Sequence, residues 1–266
     1  MHTSWYSLGM DNSLNPALFA GSLLIGILLC MEIGRRIGKS RRAGDPHIDE
    51  KGISAIEGAV FALLGLLLAF TFSGAASRFD HRRELITQEA NAIGTAWLRI
   101  DLLPSAAQAP LRRLYRDYVE SRLAIYKEGV ETEAGKAAYQ RSVALQGEIW
   151  KQTSAAAYQA PAPAVANLAL PPVNDMIDIT TTRFVARQTH PPDAIYYLLF
   201  VLGLAAAMLA GDGMSASKHR QWLHRLGFAL VISATVYVTM DMEYPRLGLI
   251  RIDAADQLLV DLQHSM

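Results

Sequence analysis

Apolar residues gather in four blocks along this chain, separated by stretches whose polar positions follow a helical period. The blocks are Pro16 to Ile33, Ser54 to Ala76, Ala194 to Ala210 and Leu223 to Met240. Each is close to the roughly 20 mostly apolar residues that a helix needs to cross a bilayer. They fall into two pairs. The reading is therefore all-α, with four transmembrane helices in two hairpins and a long helical extramembrane segment between them. Residues 1–76 form the first hairpin, 77–193 the extramembrane domain, and 194–266 the second hairpin with a tail.

The middle segment supports this on its own periodicity. Leu111, Leu114, Tyr115, Tyr118 and Ile125 recur near one helical face, and Val173, Met176, Ile177, Thr180 and Phe184 do the same. The stretch QAPAPAVANLALPP is proline-rich and predicts a loop or cap between helices. No alternation of useful length predicts a strand. Tyr196, Tyr197, Trp222 and Tyr244 sit near span ends, where amphipathic rings favour the headgroup layer. The first span has no Lys or Arg before it and no small-residue cleavage site after it, so it reads as a span rather than a leader.

Composition agrees. Only 19% of the residues are charged, below the quarter usual in soluble domains. The formal net charge is zero, so bulk charge argues for no nucleic-acid partner. The single cysteine, Cys30, lies in an apolar run and reads as a packing residue. The chain has no Walker loop, G-x-S-x-G, H-E-x-x-H or dinucleotide fingerprint, so no enzyme and no cofactor is expected. His219 and His224 are off one helical face. Asp45, His47, Asp49 and Glu50 cluster in a short loop, but turn chemistry accounts for them without a metal.

The stretch FALLGLLLAFTFSGAASRFDHRRELITQEANAIGT, from Phe61 to Thr95, passes from lipid-soluble to charged sequence without a proline. It resembles the second transmembrane helix of bestrophin-type channels and its continuation, with Arg78, Phe79 and Arg83 matching an arginine-aromatic-x-x-x-arginine pattern. It resembles the bacterial bestrophin-like family of membrane proteins more closely, through EANAIGTAWLR and through DMEYPRLGLIRI after the last span. The resemblance covers nearly the whole chain. It implies a homo-oligomer, with a pentamer as one candidate, in a bacterial inner membrane, conducting inorganic ions. The second helix would line the pore. Leu64, Leu68 and Phe72, at i, i+4 and i+8, are then candidates for stacked apolar rings that gate by dewetting. The apolar helix is about one turn shorter than in the channels, and their acidic calcium cluster is not evident after Asp241. The competing reading is a membrane-anchored interaction or sensory module without a conducting pore.

Orientation has two readings. The short loop read from Gly34 to Gly52 carries Arg35, Arg36, Lys39, Arg41, Arg42 and Lys51, and the positive-inside rule places it in the cytoplasm with the middle segment outside. Membership of the channel family implies the reverse.

Charged residues at span ends are the remaining candidates. Glu57 reads as a first-turn acid favoured by the helix dipole, or as a carboxylate ring at a pore mouth. Asp241 and Glu243 need cationic partners if buried, with Arg246 and Arg78 as candidates for a clasp. Arg78, Arg82 and Arg83 read as snorkelling surface charges or as an anion-attracting vestibule. Gly58 and Gly65 read as close-packing points between helices. Pro245 and Gly248 predict a turn that uses positive φ at the glycine.

Overall fold

The computed structural model describes residues 15–44, 50–129, 132–216, 222–244 and 248–266. These are almost entirely α-helical, with no strand among them. The helices are α1 (Pro16–Gly44), α2 (Glu50–Arg99), α3 (Ser105–Glu128), α4 (Glu133–Gln159), α5 (Ala164–Gln188), α6 (Asp193–Gly213), α7 (Trp222–Glu243) and α8 (Asp253–Ser265).

Local sequence explains where they start and stop. Asn15 caps α1, its Oδ1 accepting from the Ala17 and Leu18 amides, with Pro16 at the first helical position. The absence of proline between Glu50 and Arg99 lets α2 run for 50 residues. A 3-10 turn at Ile100–Leu102 ends it before Pro104, which excludes the α conformation at the preceding residue. Gly129, at φ 84°, closes α3 where a side chain would be strained. Thr132 then caps α4 through the Gly135 amide.

Two expectations are corrected here. The basic segment after the first span is not a loop: α1 continues through Gly44, because Ile37 and the long cationic side chains are compatible with helix. The proline-rich segment is a turn only at residues 160–163. Pro171 and Pro172 lie inside α5.

The chain divides into two compact units. The first comprises Met1–Phe79 and His190–Ile250; the second comprises Asp80–Thr189 and Arg251–Met266. The tail thus belongs with the middle segment rather than with the last hairpin. Among the described residues, four helical stretches are long and apolar enough to cross a membrane: Pro16–Gly44, Ser54–Leu102, Ala164–Gly213 and Trp222–Glu243.

In the first unit α1 is the central helix, packed against both α6 and α7. Among its buried residues, Phe19, Leu23, Ile27, Met31, Gly34 and Gly38 recur every three or four positions, with Ala20 beside Phe19. The α1–α6 crossing is built on glycine. A Cβ added at Gly34 would overlap the Met208 carbonyl oxygen, and one added at Gly211 would overlap the Met31 carbonyl oxygen. Each helix thus presents a glycine to the other's backbone. Gly58 and Gly65 do not have this role within the described residues: a Cβ at either meets nothing within 4 Å among them.

The second unit has a separate core. Ile93, Trp97, Leu111, Tyr115, Tyr118, Ile149, Val173 and Met176 pack together, with Leu259 of α8. The Trp97 and Tyr115 rings meet edge to face at 6.2 Å.

Candidate functional site

The apolar part of α2 is built differently from the other spans. In its most apolar window 11% of residues are buried in the chain, against 28–33% for the other three. One narrow seam packs inward. Phe61 meets Phe228 of α7 edge to face at 6.1 Å, and Leu64 and Leu68 are buried in the same core as Leu23, Ile27 and Val236. The rest of the circumference is open in two strips. Ile56, Leu63, Leu66 and Phe70 form a bulky one. Ala55, Gly58, Ala62, Gly65, Ala69 and Ser73 form a small one, and Phe72 is the one large side chain on it. Leu64, Leu68 and Phe72 therefore do not share a free face. The 400° advance over four residues rotates Phe72 out of the seam that holds Leu64.

At one end of the first unit, Glu243 is 1% exposed and accepts from Arg78 Nε at 2.8 Å and Nη2 at 2.5 Å. His190 Nδ1 stands 3.5 Å from its other oxygen, and the imidazole stacks on Tyr244 at 4.8 Å between centroids. A carboxylate this buried requires such a partner, because removing it from water costs several kcal/mol. Asp241, equally buried, accepts from the Leu249 and Ile250 amides at 2.9 and 2.8 Å. It therefore organises the exit turn rather than pairing with a cation in those bonds. Gly248 is required there by space, not by φ. Among the described residues only Gly129 is a positive-φ glycine, whereas a Cβ on Gly248 would overlap Asp241 Oδ1. Arg246 and Pro245 lie outside the described residues.

Arg82 and Arg83 separate from Arg78. Arg82 is 8% exposed and donates to the Ala186 and Thr189 carbonyls at 3.2 and 2.9 Å. It satisfies carbonyls at the C-terminal end of α5, where a cation also suits the dipole. It is neither a snorkelling surface charge nor part of an open vestibule. Arg83 is exposed and lies 3.6 Å from Asp80.

Glu57 is not in a first turn, since α2 begins two turns earlier. It is half-buried, lies near Asp212, Arg41 and Arg42, and its carboxylate approaches Gly213. In the same cluster Arg41 pairs with Asp212 at 2.5 Å, and Arg42 donates to the Asp212 carbonyl at 3.1 Å. These contacts cap the C-terminal end of α6. Residues 45–49, with the Asp45, His47 and Asp49 loop, lie outside the described residues, and among the described ones no three His, Cys, Asp or Glu side chains gather as metal ligands.

One polar centre was not anticipated from the sequence. Glu89 is fully buried in the second unit and accepts from Arg122 Nε at 2.6 Å, from Arg183 Nη1, and from the Tyr126 hydroxyl at 3.2 Å. Both guanidiniums lie over the Tyr126 ring, at 5.6 and 4.7 Å. The spacing Ile86, Glu89, Ile93 puts the acid on the buried stripe of α2, and that spacing was available as a signal. Close by, burial pushes the Tyr118 hydroxyl's pKa upward, with Arg122 opposing. Burial, and then Tyr118, raise that of Tyr115, whose hydroxyl has no hydrogen-bond partner.

Among the described residues, four helical stretches long and apolar enough to cross a membrane define a helical multi-pass membrane protein. The family model of the bestrophin-like domain matches residues 20–256, and the chain belongs to the bestrophin-like family. No curated protein and no solved structure matches it.

Proposed function

We propose that the chain assembles as a homo-oligomer in a bacterial inner membrane and conducts inorganic ions through a pore lined by α2. The observation that carries this is the open circumference of α2: the other apolar stretches are covered two to three times more fully inside the chain. A pore-lining helix needs one strip for its own subunit, one for a neighbour or lipid, and one for the axis. The small-residue strip suits the axis. Its Ala and Gly positions leave a wide lumen, and Phe72 narrows it with one apolar ring that passes ions only when wetted. Leu64 and Leu68 are spent inside the subunit, so the constriction rests on Phe72 alone. No chemical step on a substrate is part of this reading.

The test is ion flux in liposomes holding the purified protein. Phe72→Ala should raise flux severalfold with the oligomer intact. Leu68→Ala should lower stability by roughly 2–5 kcal/mol without raising flux, as expected for a core cavity. Intact Phe72→Ala oligomers that carry no more current than wild type, under both chloride and potassium gradients, would sink the pore. The second reading, a membrane-anchored interaction module, is favoured by one observation: Val143, Trp150 and Tyr158 form an exposed stripe on α4. Particles without a central hole in electron micrographs would favour it.

A further inference from the structure

We propose that the corner where α1 meets the first turn of α7 binds the headgroup of an anionic phospholipid. The lipid-facing stripe of α1 runs through Leu18, Ile25, Leu29 and Ile33, all at least half exposed. The next position on that stripe, one turn on, is Arg36, whose side chain is 78% exposed. An acyl chain lying along the stripe therefore ends at a guanidinium.

That guanidinium is part of an unbalanced cluster. Arg35 Nε, Arg36 Nε and Arg225 Nη1 approach the single carboxylate of Glu32 at 3.5, 3.2 and 3.0 Å. Among the described residues, three cations around one anion leave an excess of two positive charges. Lys39, exposed and one turn beyond Arg36, adds to it. Arg41 and Arg42 are engaged by Asp212 and do not contribute. Arg225 is held in place from below by the Leu28 carbonyl at 3.5 Å. Three residues before it, on the same side of α7, Trp222 is 64% exposed, as suits an indole at the headgroup layer.

The chemistry of this corner selects its ligand. Arginine forks match phosphate oxygens geometrically as well as by charge. A zwitterionic headgroup would bring its own cation into a region already in positive excess. A lipid with net negative charge would not. The site needs no pore, so it stands or falls apart from the conduction proposal.

The experiment is native mass spectrometry of the full chain in neutral detergent, after exposure to equimolar phosphatidylglycerol and phosphatidylcholine with the same acyl chains. Wild type should retain phosphatidylglycerol in several-fold preference. Arg36→Gln and Lys39→Gln, both at exposed positions, should each reduce that preference about fivefold while leaving thermal unfolding unchanged. Equal retention of the two lipids by wild type would overturn the proposal, as would a double variant that keeps the wild-type preference. Soluble glycerol phosphate at millimolar concentration should not displace the lipid. Complete displacement would assign the corner to a soluble phosphate and overturn the lipid as occupant.

Discussion

The two halves of α2 reverse the usual relation between polarity and burial. From Ser54 to Phe79 the helix is apolar, yet only Leu64, Leu68 and Ala75 are buried. From Asp80 to Arg99 it is charged, yet Arg82, Leu85, Ile86, Glu89, Ile93, Ala96 and Trp97 are buried. The difference lies in the surroundings each half is made for. Water drives the second half to cover its apolar stripe and to pair whatever charge the stripe carries. A bilayer exerts no such drive, so the first half needs only a seam. Open apolar surface on the first half is thus compatible with a finished subunit.

The strongest way to break this contrast is to unlock the polar half. Arg122→Met leaves Glu89 buried with one guanidinium fewer. Loss of one partner from a buried ion pair costs roughly 3–5 kcal/mol. Chemical denaturation followed by circular dichroism should show the helices of the second unit melting first. A loss under about 1 kcal/mol would mean that Glu89 is not what locks this half.

A smaller effect is expected at the apolar half. Arg78→Gln strips Glu243 of its charged hydrogen bonds and should cost about 2–3 kcal/mol, less than the fully buried cluster because Arg78 is itself 30% exposed. The double variant Arg78→Gln/Glu243→Gln should recover most of that loss, since the cost comes from a buried carboxylate that has lost its guanidinium. Additive losses in the double-mutant cycle would show that the pair is not coupled.

The smallest effect sharpens the contrast from the water side. Tyr115 packs on Trp97 with its hydroxyl unpartnered, so Tyr115→Phe should change stability by less than about 0.5 kcal/mol at pH 7. High pH should separate the two. Tyr115 and Tyr118 have folded-state pKa values above the unfolded value near 10, so both are neutral in either state below it and contribute no pH dependence there. Above pH 10 the unfolded chain loses these protons first, and stability falls by about 1.4 kcal/mol per unit for each tyrosine. Tyr115→Phe should remove its own share, about 1.4 kcal/mol per pH unit, from that slope in a denaturation series from pH 9 to 11.5. An unchanged slope would mean that Tyr115 is not sealed from water.

The four blocks and the helical middle were legible because hydropathy and period are local properties. What was not legible depended on neighbours. Leu64 and Gly65 sit side by side in the same apolar run, and nothing local says that one is buried and the other open. Gly34 and Gly211 are recognisable only as a pair. Small residues four apart, Gly34 with Gly38 and Ala207 with Gly211, were the available hint. Arg82 looked like its neighbours Arg78 and Arg83 in the sequence; it lies about 40° and about 100° from them around the helix, and it donates to carbonyls at the end of α5. Pro171 and Pro172 misled because two consecutive prolines usually mark a break, yet here they lie inside α5, and nothing in the structure explains why that helix tolerates them.

The glycine crossing of α1 and α6 also sets a timetable for biosynthesis. Arg41 and Asp212, which close that crossing, are 171 positions apart. At about 5–20 residues per second, the ribosome needs on the order of 10–35 s to deliver the second helix after the first. During that interval α1 stands in the membrane with Gly34 and Gly38 bare and its row of arginines unmatched by Asp212. The α1–α6 pair therefore forms only after α2 to α5 have been made, and the α1–α7 contact follows it. A nascent chain halted before α6 emerges would expose an adhesive glycine strip to any other helix in the bilayer.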